Sequence, residues 1–243
     1  MRARWTVLAA TIGVALPRAV LAAGINIDLG GDAPAQTGAA LKVVLLLTVL
    51  SLAPAILLAC TSFLRVSVVL SFLRSALGVQ GTPPNQVLMG LALFMTVAVM
   101  APTGREIYTQ ALGPYMDGQM SARAAYDRGV VPVRRFMLKQ TRESDLALFY
   151  EINAAEAPRV PEEVGMQMLV PAFITSELRT SFEMGFLLYM PFLLIDLVVG
   201  SVLMAMGMMM LPPTMVSLPL KLLLFVAADG WHLIVASLVR SFA

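Results

Sequence analysis

Two lone charges of opposite sign interrupt long apolar runs near the C-terminus, Asp196 within Met184 to Met210 and Lys221 within Met215 to Val239. An isolated ion in hydrocarbon is costly, so each requires neutralisation. On a helix, Gly200, Leu203, Gly207 and Met210 share a face with Asp196, and small residues there let a second helix come close. Lys221 shares a narrow stripe with Phe225, Ala228 and His232. The chemistry on offer is an ion pair between helices, within one chain or between copies; the alternative is that each charge snorkels to an interface on its own.

Between these charges the chain reads Met204-Ala-Met206-Gly-Met208-Met209-Met210-Leu-Pro212-Pro213. Methionine is ordinary apolar filler in a membrane helix, and taken alone these residues are filler. Their position at a Pro-Pro turn between two runs supports a second reading: unbranched, polarisable side chains that close around objects of varied shape. Such a seal suits a pore that passes a polypeptide while holding back ions.

No catalytic or metal centre is expected. Cys60 is the only cysteine and lies in an apolar run, where it reads as a small core residue, and His232 is the only histidine and cannot build a multi-histidine site. Neither a nucleophile with its base nor two facing carboxylates can be assembled from the pattern. No cofactor is implied.

The elements that would carry these residues follow from composition. With 58% hydrophobic and 13% charged residues and a mean hydropathy of +0.81, the chain has too little polar surface to wrap a soluble core of 243 residues. It reads as an all-α integral membrane protein. A net charge of +2 with scattered basic residues gives no footprint for nucleic acid.

Arg2 and Arg4, the apolar stretch Trp5 to Leu16, the Pro17-Arg18 break and the small residues Val20, Ala22 and Ala23 form a signal-peptide layout over 1–22, too short to span. An exposed lead-in, 23–40, follows. Residues 41–102 read as a first hydrophobic helical pair, kinked at Pro54, with Arg65 and Arg74 in its turn and Asn85 capping its second run. Every glutamate of the chain falls within 103–183, expected to be an extramembrane helical domain whose apolar residues recur around Tyr126, Phe136, Leu146, Tyr150 and Ile152. A second hydrophobic pair with the Met-rich turn occupies 184–243, and Thr180-Ser-Phe-Glu183 has the capping-box pattern ahead of it. Pro54, Pro191 and Pro219 each read as a locally repaired kink, and Arg179 with Glu183 as a modest surface pair at i,i+4. A cleaved signal would leave 103–183 and the C-terminus outside, with Arg65 and Arg74 inside in keeping with the positive-inside bias.

Several motifs occur together and in order: Thr61-Ser-Phe-Leu-Arg65, Gly81-Thr-Pro-Pro-Asn-Gln-Val87, Pro171-Ala-Phe-Ile-Thr-Ser-Glu177-Leu-Arg179-Thr-Ser-Phe-Glu183-Met-Gly-Phe186, Pro191-Phe-Leu-Leu-Ile-Asp196, Met208-Met-Met-Leu-Pro-Pro213, Leu218-Pro-Leu-Lys-Leu222 and Asp229-Gly-Trp231. From about residue 41 to the end the chain closely resembles the FliP family of flagellar export-gate proteins. Ser181 stands where that family usually has Gly or Ala, and His232 where glutamine is common.

The resemblance implies a structural, non-catalytic subunit of the core type III export apparatus in the bacterial inner membrane. About five copies, related by a closed rotation, would assemble with FliQ and FliR partners into a helical channel for unfolded substrates, largely on the periplasmic side. It also implies a pore constriction at Met208, Met209 and Met210, an intersubunit ion pair of Asp196 with Lys221, and secondary interface positions at Glu177, Arg179, Glu183, Gly200 and Gly207. The related SctR branch of virulence secretion is the nearest alternative, and the signal peptide favours the flagellar branch. A small-solute or proton transporter using Asp196 and Lys221 as relay is a lesser one, disfavoured by the absence of an inverted repeat.

Overall fold

The computed structural model describes residues 34–79, 81–154, 158, 160, 163–208 and 210–242, so the expected signal peptide lies outside the described residues. Among the described residues every regular element is helical: α1 (Pro34–Ala59), α2 (Phe63–Leu77), α3 (Asn85–Ile107) with a π-helical turn (Tyr108–Leu112), α4 (Gly113–Met116), α5 (Ala122–Gln140), α6 (Glu143–Ile152), α7 (Met166–Ala205), α8 (Pro213–Ala227) and α9 (Gly230–Arg240). The segments Leu41–Ala59, Asn85–Met116 and Met166–Ala205 are long and apolar enough to cross a membrane, and α8 with α9, bent by 64°, is a fourth candidate. The molecule is an all-α membrane protein.

The chain divides into residues 1–51 and 52–243. In the first unit Leu45, Leu46 and Leu50 on α1 are exposed. The second unit holds the core and the site.

What reads as one run into Arg65 is broken at Cys60-Thr61-Ser62. The Thr61 hydroxyl donates to Leu58 O at 3.0 Å and accepts from Phe63 N at 3.4 Å, local bonds that compete with the helical ladder. A separate helix, α2, therefore begins at Phe63. It buries Val66, Val69, Leu70, Leu73, Ala76 and Leu77, an i, i+3, i+4, i+7 stripe, in a cluster with Leu88, Ala92 and Met95 of α3, Phe192 of α7, Phe225 of α8 and Leu238 of α9. Arg65 and Arg74 are thus residues of a central helix rather than of a cytoplasmic turn. Gly78, at φ +72°, ends that helix in the left-handed region.

Close approach of α2 to α7 depends on Gly185. A Cβ there would stand 2.6 Å from the Phe72 ring, which also meets Phe182 edge-on at 5.2 Å. A second, smaller cluster joins Cys60, Met137, Val164, Leu169 and Phe173. Cys60 is the core residue its position suggests, and burial pushes its thiol up from the usual range.

Several sequence expectations change at the helix ends. Asn85 is the first residue of α3, not its cap; Pro84 precedes it, and the Asn85 side chain instead accepts from Arg74 Nη1 at 3.5 Å. No helix starts after Thr180-Ser-Phe-Glu183, because α7 runs unbroken from Met166 to Ala205 through Pro171 and Pro191. Ser181 Oγ donates to Glu177 O at 2.6 Å, the back-bonding of a mid-helix serine rather than a cap. The interval 103–183 accordingly has no break at either edge: α3 enters it and α7 leaves it as continuous helices. Within it α5 and α6 are helical as expected, but Tyr126 and Ile152 are exposed, while Met137 and Tyr150 are buried.

Candidate functional site

The last turn of α7 explains how the methionines come to lie on a tip. Gly207, at φ +75°, follows the last helical residues. Its N–H donates to Met204 O at 3.0 Å and Met208 N–H to Leu203 O at 2.9 Å, the paired bonds of a Schellman ending. Pro213 then occupies the first turn of α8, where its missing N–H costs nothing. Residues 206–212 form the connection. Met204, Met206, Met208, Met210 and Met215 are exposed, Met210 to 96%; Met209 lies outside the described residues. Exposed thioethers at a tight reversal are available to something outside the chain.

Gly207 therefore shapes the turn instead of packing against a helix, and it and Met210 lie beyond the helical stripe of Asp196. Gly200 does pack as expected of a small residue: a Cβ added there would stand 3.8 Å from the Pro213 ring. That contact lies within the chain, so α7 and α8 close on each other at this point.

Directly behind the turn, Lys221 Nζ donates to Asp196 Oδ2 at 2.6 Å and to Ala76 O at 3.2 Å, and Ser217 Oγ donates to Asp196 Oδ1 at 2.5 Å. Lys221 is buried and Asp196 half-buried. Both carboxylate oxygens are occupied, and the ammonium also faces a last-turn carbonyl of α2, where a cation is favoured by the helix dipole. Within one chain the α7–α8 reversal brings Ser217 and Lys221, one turn apart, onto Asp196. The Lys221 stripe continues to Phe225 and stops there, since α8 ends at Ala227 and Asp229, at φ +49°, redirects the chain. His232 is exposed on α9, off that stripe.

A second buried charge site was not anticipated. Arg65 Nε donates to Glu177 Oε2 at 2.9 Å and its Nη2 to Glu177 Oε1; Nη2 also reaches Gln140 Oε1 at 3.0 Å, and Nη1 reaches Ser241 O at 2.8 Å and Ser241 Oγ at 3.0 Å. The guanidinium lies 4.0 Å over the Phe242 ring. Arg65 is 2% and Glu177 0% exposed. Glu177 is the counter-ion of Arg65 in the interior. The signal was present, since Arg65 is a lone charge near the start of an apolar stretch, but assigning it to a turn removed the need for a partner.

Arg179 and Glu183 behave as expected on the surface, 3.5 Å apart at i,i+4, and Arg142 joins them by donating to Glu183 Oε2 at 2.7 Å. Alongside, Ser176 Oγ donates to Asp145 Oδ2 at 2.6 Å and accepts from Arg142 N at 3.0 Å, tying the start of α6 to α7. Outside these polar contacts α7 and α8 leave Phe186, Leu187, Leu194, Val198, Leu223 and Val226 exposed.

Residues 46–238 match the FliP family model. The chain is 52% identical over 218 residues to the flagellar biosynthetic protein FliP of Bacillus subtilis, covering 90% of this chain and 98% of that one. It is 50% identical to the protein of the same name from Caulobacter vibrioides, covering 98% and 89%, and 55% identical to that of Pectobacterium carotovorum, covering 83% and 78%.

Proposed function

The chain belongs to the FliP family, and from that premise we propose that it is a core channel-forming subunit of the flagellar type III export apparatus, passing unfolded flagellar proteins across the bacterial inner membrane. About five copies would close a ring by rotation, together with FliQ- and FliR-type subunits and with much of the assembly on the periplasmic side. The exposed apolar faces of α7 and α8 supply surface for such neighbours.

The observation that carries the reading is the methionine tip. Asp196 and Lys221 hold α7 and α8 together behind residues 206–212, so the tip is presented by a rigid hairpin while its own side chains stay deformable. Met208, Met209 and Met210 from several copies would form an apolar constriction with no fixed polar site for an ion. A proton relay through Asp196 is a poorer fit, because its carboxylate is already bound on both oxygens. The relatives with which the chain aligns are named for flagellar biosynthesis, which favours that branch over virulence secretion.

The test is complementation. Cells lacking their own FliP should regain filaments and secreted filament protein when this chain is supplied, and should not when the segment 204–215 is deleted. Full export with that deletion would exclude the tip from the channel.

A further inference from the structure

The reversal between α7 and α8 is chemically uniform. From Met204 to Pro213 it carries no hydroxyl, amide or charged side chain, and its only reactive side-chain atoms are five thioether sulfurs. Met204, Met206, Met208 and Met210 are exposed, whereas Met95 and Met137 are buried in the two core clusters. Cys60, the one thiol of the chain, is buried too. Other exposed methionines, Met89, Met116 and Met190, stand singly along the chain.

An exposed thioether is open to oxygen transfer from hydrogen peroxide. The sulfur lone pair attacks one peroxide oxygen, the O–O bond breaks as the S–O bond forms, and the leaving hydroxide takes up the remaining proton to become water. Sulfur loses two electrons and the peroxide gains them. The product, methionine sulfoxide, is polar and chiral, and sulfoxide reductases return it to the thioether with electrons from a dithiol.

The change of polarity falls where it matters to a seal. An apolar ring holds back ions because nothing in it replaces their hydration shell, which is what rings of oxygen acceptors do in cation-selective pores. No side chain from Met204 to Pro213 can donate a hydrogen bond to a sulfoxide oxygen, and the N–H groups of Gly207 and Met208 are already committed to Met204 O and Leu203 O. The support behind the tip contains no sulfur: Asp196, Ser217 and Lys221 hold the hairpin through oxygen and nitrogen. Oxidation therefore alters the seal and leaves its mounting intact.

We propose that Met208, Met209 and Met210 are a site of reversible oxidation by hydrogen peroxide, and that sulfoxides formed there open the constriction to cations until they are reduced. This rests on the channel reading.

The test uses membrane vesicles holding the assembled complex. They are treated with hydrogen peroxide, sulfoxide is located by peptide mass spectrometry, and potassium and chloride fluxes are measured before and after. Residues 208–210 should be oxidised at least tenfold more than Met137, and potassium flux should rise several-fold with chloride flux rising less. Adding the two methionine sulfoxide reductases, one for each epimer, with dithiothreitol should restore the seal. The combined substitution Met208→Leu, Met209→Leu and Met210→Leu keeps the plug apolar and leaves Met116 oxidisable, so its flux should not respond to peroxide.

Tip methionines no more oxidised than Met137, or tip sulfoxides without a rise in flux, overturn the proposal. A rise that survives the leucine substitutions, or that the reductases fail to reverse, overturns it as well. The triple alanine variant separates this failure from that of the channel reading. Leak from the alanine variant without leak from the oxidised chain removes the oxidation switch alone, and leak from neither removes both.

Discussion

Arg65 and Glu177 stand 112 residues apart in sequence and meet in the interior through two N–H···O contacts, and the remaining donors of the guanidinium go to Gln140 and Ser241. All five donors of that side chain are used. The pair links α2, α5, α7 and the C-terminal residues at one point. A buried ion pair of this kind is costly to break and much cheaper to replace whole.

Substituting Glu177→Leu alone should therefore strand the guanidinium and cost about 3–5 kcal/mol. The double substitution Arg65→Met with Glu177→Leu should recover a large part of that loss. Thermal unfolding in detergent, or the steady-state level in membranes, gives the comparison. A double variant as unstable as the sum of the two singles would mean that the residues do not act as a pair.

Truncation after Arg240 should also weaken the fold, since it removes the Ser241 acceptors and the Phe242 ring from a buried cation. A loss of about 1–3 kcal/mol is expected from unsatisfied donors. It should largely disappear in the Arg65→Met background. A truncation penalty unchanged by Arg65→Met would place its origin elsewhere.

Gly185→Ala should destabilise the α2–α7 contact, because its Cβ would stand 2.6 Å from the Phe72 ring. Phe72→Ala makes room for the methyl group, so the pair of substitutions should cost less than the sum of the singles. Strict additivity of the two unfolding free energies would contradict a shared contact.

The Asp196–Lys221 pair predicts a specific pattern in co-expression. A chain carrying Asp196→Lys with Lys221→Asp should regain part of the assembly lost by either single reversal, and only part, because Ala76 O would lose its cation. Mixing one single-reversal chain with the other should not rescue. Rescue by mixing would move the pair to the boundary between copies.

Much of this fold was legible before any coordinates. The apolar runs, the helical reading of 103–183 and the reversal at Leu211-Pro212-Pro213 follow from periodicity and from the backbone limits of proline, whereas Gly207, placed by its spacing on the Asp196 face, ends α7 instead. Asp196 and Lys221 could be paired from their opposite signs, but whether one chain or two supplies them depends on the tertiary approach of α7 and α8. Arg65 with Glu177 was missed for a related reason. Its partner lies across the whole molecule, and the break at Thr61 that makes α2 a separate core helix arises from hydroxyl bonds that compete weakly with the ladder. The pattern at Thr180 to Glu183 misled in the opposite way, because a capping box is only a local preference and α7 is held through it by its neighbours.

The central claim is that the tip at residues 206–212 seals a pore formed by several copies. Ion conductance across the membrane of cells carrying Met208→Ala, Met209→Ala and Met210→Ala together tests it most directly, with complex assembly measured in the same cells. A smaller apolar plug should leave the complex assembled and raise the leak of small ions. An assembled complex with no increase in leak would contradict the account and return these methionines to ordinary apolar filler.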